Sequence, residues 1–111
     1  MMVQRIKIRL ATIGIASLGA LTCITVLAQS KDELYVAGLA ATCTACHGTL
    51  GKAAEGSAVV SLAGLSKDYI VDQMAAFKSG ARSATVMQQL SKGYSDVQVA
   101  MIAGYFAAQK K

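Results

Sequence analysis

The chain has 111 residues, of which 54% are hydrophobic and 15% are charged, and it contains no proline. This composition excludes a disordered tail and a proline-rich or collagen-like chain. The length suffices for one small domain. Alanine-rich stretches with helical spacing, and few β-branched runs bounded by turns, predict an all-α protein.

Residues 1–28 read as a secretory signal peptide. Three cations, Arg5, Lys7 and Arg9, precede an uncharged stretch that ends in the small-residue pattern Val26-Leu27-Ala28. We expect cleavage after Ala28 and export to the periplasm, and the alternative is an uncleaved membrane anchor. Because three of the cations lie in this segment, the net charge of +5 falls to +2 without it. The mature chain therefore has no basic stripe for nucleic acid and, once cleaved, no expected membrane span.

Four helices are predicted in the remainder of the chain. Ser66 is the expected N-cap of the second helix and Gly80 its end, while Ser95 and Gln98 form a capping box at the start of the fourth. The predicted helices cover about Asp32–Ala41, Lys67–Ser79, Thr85–Lys92 and Ser95–Gln109. A glycine-containing loop over residues 48–65 separates the first two, and loops of this length in small domains are usually functional.

The fourth helix carries a wide apolar face. One stripe consists of Val99, Ile102 and Phe106, and a second beside it consists of Val97, Met101 and Tyr105. Both stripes are expected to be buried.

Residues 43–47, CTACH, form the C-x-x-C-H motif by which c-type haem is attached. The thiols of Cys43 and Cys46 can each add to one vinyl group of the haem, and the next residue, His47, is then held beneath the iron. His47 is the only histidine of the chain. A zinc site would need four ligands, and a thioredoxin-like thiol pair would need a βαβ pattern, so both alternatives are poorly supported. A plain disulfide between the two cysteines would leave the apolar helices without a centre.

The sixth ligand of the iron is expected to be a methionine. Met74 and Met101 lie inside predicted helices on apolar faces and are assigned to the core. Met87 comes shortly after residues 79–83, where the second predicted helix ends. This interruption of the helix lets the chain wrap to the opposite face of the haem. Met87 is therefore the predicted axial thioether.

The sequence resembles the class I c-type cytochromes, most closely the haem subunit of flavocytochrome c sulfide dehydrogenase and its single-haem relatives. The segments that carry the resemblance are CTACHGTLG (43–51), SLAGLSKDYIVDQMAAFKSGARSATVM (61–87) and LSKGYSDVQVAMIAGYFAAQ (90–109). The resemblance implies a cytochrome c domain over residues 29–111 with one haem c, thioether bonds from Cys43 and Cys46, and axial ligation by His47 and Met87.

The resemblance also implies that the first helix packs on the last, and Tyr35 and Gly38 opposite Gly104 and Tyr105 suit a close crossing. Many relatives have prolines after the haem motif, one of whose carbonyls orients the histidine. Residues 55–60 contain none here. The carbonyl of Ser57 or of a neighbour is the expected acceptor for Nδ1–H of His47.

With both axial positions filled, the expected function is one-electron transfer rather than catalysis. The expected partner is a redox protein, for which a flavoprotein subunit that oxidises sulfide is the leading candidate. A free periplasmic carrier to a terminal oxidase, and a haem enzyme or ligand sensor with an open distal site, are the alternatives. Lys52, Lys78 and Arg82 are the cations expected near the haem edge. They either steer an acidic partner or serve only as solvated surface charges.

Overall fold

The computed structural model describes residues 30–111, and the predicted signal peptide lies outside them. Between residues 30 and 111 the secondary structure is entirely helical, which confirms the all-α prediction. The elements are α1 (Lys31–His47), a 3-10 turn (Thr49–Gly51), α2 (Lys67–Ser79), α3 (Met87–Lys92) and α4 (Asp96–Ala107). None of these helices is long and apolar enough to cross a membrane.

The capping signals of α2 and α4 are confirmed. The side chain of Ser66 accepts a hydrogen bond from the backbone N–H of Tyr69 (3.3 Å), and Gly80 ends α2 in the left-handed conformation, with φ of 84°. At α4, the backbone N–H of Gln98 donates to Oγ of Ser95 (3.2 Å), and that of Ser95 donates to Oε1 of Gln98 (3.0 Å). These bonds satisfy amide groups that a helix start otherwise leaves unpaired.

Helix α1 extends six residues beyond its predicted end and contains the whole haem motif. Threonine is a weak helix former, but the hydroxyls of Thr42 and Thr44 donate back to the carbonyls of Leu39 and Ala41 (2.8 Å each). The helix stops only at Gly48, whose φ is 83°. A β-carbon at Gly48 would lie 1.9 Å from the carbonyl oxygen of Lys52, so only glycine fits this turn. Helix α3 likewise departs from its prediction, beginning at Met87 rather than Thr85.

The core joins α1, α2 and α4. It consists of Ala40, Ile70, Ile102, Ala103 and Phe106, of which Ala40, Ala103 and Phe106 are completely buried. The first predicted stripe of α4, which includes Ile102 and Phe106, is therefore confirmed.

The second predicted stripe of α4 is wrong. Val97 is 65% exposed and Met101 is 38% exposed, while Tyr105 is only partly buried. Only one side of α4 faces the core formed with α1 and α2, so the neighbouring stripe remains at the surface. The assignment of Met101 to the core is corrected accordingly.

Helices α1 and α4 are in contact, but their glycines do not lie at a close approach of the two backbones. Ala40 shares the core with Ala103, and Nε2 of Gln98 donates to the hydroxyl of Tyr35 (3.1 Å). However, a β-carbon at Gly38 or Gly104 would meet no atom within 4 Å among the neighbours that the structure describes. The prediction that these glycines permit backbone approach is therefore wrong.

Gly38→Ala is expected to stabilise the haem-loaded protein by about 0.5–1 kcal/mol, because alanine costs less backbone entropy than glycine inside a helix. Gly51→Ala is the opposite control. Its β-carbon would lie 2.6 Å from Cδ1 of Phe106 at a φ of 78°, and we expect a lower melting temperature. Thermal unfolding of both variants measures the difference, and a destabilised Gly38→Ala variant would contradict the packing described for α1.

Candidate haem site

A cavity of about 420 Å³ opens between α1, α2 and α3. The four predicted site residues, Cys43, Cys46, His47 and Met87, all line it. Most of the remaining wall is apolar and includes Leu62, Leu65, Ile70, Phe77, Leu90 and Ile102. Cavities of about 300–1,000 Å³ with apolar walls and a few placed polar groups are typical of cofactor sites. The donor set and the apolar wall thus fit haem.

His47 is the last residue of α1 and is only 9% exposed. Its Nδ1 lies 2.7 Å from the carbonyl oxygen of Val60. A carbonyl only accepts, so Nδ1 carries the proton and Nε2 keeps the lone pair that a metal requires. The acceptor is thus the carbonyl of Val60, three residues beyond Ser57, where the sequence predicts the carbonyl of Ser57 or of a neighbour.

The carbonyl of Val60 is held in place by hydrogen bonds that the next three residues make. The backbone N–H groups of Leu62 and Ala63 donate to the carbonyl of Gly51 (2.7 and 3.1 Å), and Oγ of Ser61 accepts from the backbone N–H of Ala53 (2.9 Å). These hydrogen bonds join the two ends of the loop over residues 48–65. They depend on contacts between distant residues, so no local sequence signal identified Val60.

Ser61→Ala is expected to weaken this link between the two ends of the loop at a cost of about 1 kcal/mol in the free energy of unfolding. A looser Val60 carbonyl makes the imidazole of His47 a weaker donor, which raises the reduction potential of a bound haem. Ser79→Ala is the matched control, because the hydroxyl of Ser79 bonds only to backbone groups of Ala76 and Ala81 at the end of α2. Voltammetry and thermal unfolding of both variants test the prediction, and equal potentials in the two would refute it.

Both cysteines are free thiols, as attachment to vinyl groups requires. Cys46 is exposed, whereas Cys43 is half-buried against the core. Burial raises the pKa of the Cys43 thiol, and a hydrogen bond with Thr42 lowers it to a lesser extent. Within residues 30–111 no group of three or more histidine, cysteine or acidic side chains is placed to hold a metal ion by itself.

Met87 is the first residue of α3 and is partly buried at the cavity. Met74, assigned to the core from the sequence, does pack against the core but also lines the same cavity. Met101 is not among the lining residues. The described part of the chain therefore brings two methionines to the cavity, of which Met87 is the one predicted as ligand.

Two of the three predicted steering cations have partners within the chain. Nζ of Lys78 lies 3.1 Å from Oδ1 of Asp96 and donates to the carbonyl of Tyr94 (3.1 Å). Lys78 and Asp96 therefore form an ion pair at the surface, with the Asp96 side chain 96% exposed. Arg82, expected near the haem edge, lies over the ring of Phe77 and lines the cavity.

Comparison with known proteins decides the family. The chain is 36% identical to the cytochrome subunit of sulfide dehydrogenase of Chlorobaculum tepidum over 91% of this chain and 84% of that protein. The chain belongs to the class I c-type cytochromes. It is also 34% identical to cytochrome c-553 of Helicobacter pylori over 86% of this chain and 96% of that protein. No protein-family model matches the chain.

A further relative is the thiosulfate dehydrogenase electron acceptor of Thiomonas intermedia, at 39% identity over 64% of this chain. The matched region spans only 33% of that longer protein. The relatives are cytochromes, cytochrome subunits or electron acceptors. This cytochrome therefore binds haem c and is an electron carrier rather than a catalytic enzyme.

Proposed function

We propose that this cytochrome is an exported carrier with one haem, bound through thioethers of Cys43 and Cys46 and ligated by His47 and Met87. The observation that supports it is the convergence of these four side chains on one apolar cavity of about 420 Å³. The proposal includes a signal peptide over residues 1–28, cleaved after Ala28, and a mature periplasmic domain over residues 29–111.

When bound, the haem supplies one-electron exchange between ferric and ferrous iron. The residues of the chain determine which molecules reach the iron and which oxidation state is favoured. His47, oriented by Val60, and Met87 would hold the iron, and external substrates would then be kept from it. The soft thioether of Met87 would favour the ferrous state, and the apolar wall around Ile70 and Ile102 would keep water away.

The rim of the cavity supplies the contact surface for a redox partner. Five residues line the cavity and are also between 37% and 58% exposed: Val59, Val60, Tyr69, Val86 and Leu90. Exposed apolar groups concentrated in one place indicate a protein contact site. Redox encounters bury little area, so a rim of this kind suffices.

We further propose that the electron donor is a dehydrogenase that oxidises an inorganic sulfur compound, with a flavoprotein subunit that oxidises sulfide as the leading candidate. The names of two relatives, a sulfide dehydrogenase subunit and a thiosulfate dehydrogenase acceptor, support this class. A carrier that serves a terminal oxidase instead would not be reduced by such a dehydrogenase.

Stopped-flow reduction by a flavin-containing sulfide dehydrogenase subunit tests the proposal. Val86→Lys should slow the reduction roughly tenfold or more. A charge left unpaired at a contact costs about 2 kcal/mol or more, and about 1.4 kcal/mol corresponds to a factor of ten. Val97→Lys is the matched control, since Val97 is also exposed (65%, against 56% for Val86) but does not line the cavity. Equal effects of the two variants would remove the rim from the contact surface, and no reduction of the wild type would favour the oxidase carrier.

A further inference from the structure

The wall of the haem cavity carries a single permanent charge. Among its lining residues, all within residues 30–111, Arg82 is the only lysine or arginine, and none is a carboxylate. Haem carries two propionate carboxylates on an otherwise apolar ring. A carboxylate at an apolar wall needs a charged or hydrogen-bonding partner, because an unpaired charge is strongly unfavourable there.

The guanidinium of Arg82 is held from two sides. Its central carbon lies 4.7 Å from the centroid of the Phe77 ring, a cation–π contact. Its Nη1 donates to Oε1 of Gln73, which also lines the cavity. The backbone supports this position, since the N–H of Arg82 donates to the carbonyl of Ala76 at the end of α2 (3.0 Å).

These contacts leave most of the donors of Arg82 available. A guanidinium has five N–H groups in a planar fork that matches a carboxylate, and Gln73 uses one of them. Because Oε1 of Gln73 accepts from Arg82, the amide NH₂ of Gln73 remains a second donor at the same place. Lys78, the nearest alternative cation along the chain, is bound to Asp96 and Tyr94 and does not line the cavity.

We propose that Arg82, oriented by Phe77 and Gln73, pairs with one propionate of the haem. The inference rests on the proposed function, because it requires haem in this cavity. Arg82 is then a cofactor-binding residue rather than the surface steering cation that its place in the sequence indicated. The pair also keeps the propionate charge from acting alone on the iron, which favours the ferrous state.

The test uses the haem-loaded protein and the variants Arg82→Gln, Arg82→Lys and Lys78→Gln. Arg82→Gln and Lys78→Gln remove one positive charge each, but only the first removes a charge from the cavity wall. We expect Arg82→Gln to shift the propionate bending bands in the resonance Raman spectrum and to lower the reduction potential. Lys78→Gln should leave the propionate bands in place.

Arg82→Lys keeps the charge but loses the planar fork, so it should shift the bands in the same direction by less and retain most of the potential. If Arg82→Gln fails to load haem, the Arg82→Lys variant still tests the inference. Unshifted propionate bands in the loaded Arg82 variants would overturn the inference. Absence of haem from the wild-type protein would instead overturn the proposed function, so the two failures are distinguishable.

Discussion

Replacing Met87 with alanine is expected to lower the reduction potential by on the order of 100 mV, because axial ligands tune haem potentials over about 0.8 V. It should also open the iron to carbon monoxide and cyanide. Met87 is partly buried at the cavity, so its removal leaves an axial position that small ligands can reach. Loss of the sulfur–iron absorbance band in the far red, together with carbon monoxide binding to the reduced protein, measures the effect.

Met74→Leu is the decisive control because Met74 lines the same cavity. The substitution nearly conserves volume and is expected to cost less than about 1.5 kcal/mol, with no opening of the iron. Met101→Leu, on the exposed side of α4, should change neither property. If Met74→Leu opens the iron and Met87→Ala does not, the ligand assignment is wrong.

The double variant Cys43→Ala, Cys46→Ala is expected to lose acid–acetone-resistant haem completely, and each single variant should retain it only weakly. Loss of haem should also unfold the chain. The cavity wall consists largely of apolar side chains from the loop over residues 48–65 and from α2, α3 and α4, which would face water without the ring. A group that binds only the folded state contributes its binding free energy to folding.

Circular dichroism of the haem-free double variant measures this coupling. A largely unfolded spectrum is expected. Cys46→Ala alone isolates the loss of one attachment bond, since Cys46 is exposed, whereas Cys43→Ala also removes a contact with the core. A well-folded, haem-free double variant would show that the protein does not need haem to complete its core.

The parts of the fold predicted from the sequence are those determined by neighbouring residues. The bounds of α2 were predicted to the residue because Ser66 and Gly80 act within one turn of the helix that they cap. The capping box of Ser95 and Gln98 fixed the start of α4 for the same reason. Such local bonds are independent of the remainder of the chain.

The errors have two sources. The end of α1 is set locally by the turn at Gly48, six residues beyond the predicted end at Ala41. The burial of the apolar face of α4 is instead decided by contacts between distant residues. The exposure of Met101 depends on which side of α4 meets the core. Periodicity alone gives the width of an apolar face but not how much of it a small core covers.

The same division applies to the site. Cys43, Cys46 and His47 were predicted as site residues from a motif whose spacing serves its chemistry. Met87 was predicted from its position shortly after the end of the second helix. The acceptor Val60 and the cavity position of Arg82 depend on how the loop and the end of α2 fold back towards α1. Neither position leaves a signature in the sequence.

The intact mass of the purified wild-type protein under denaturing conditions tests the central claim most directly. Covalent attachment through Cys43 and Cys46 predicts the mass of residues 29–111 plus one haem, with no haem released into acid–acetone. The mass of the polypeptide alone, with haem free in the extract or absent, would contradict the account.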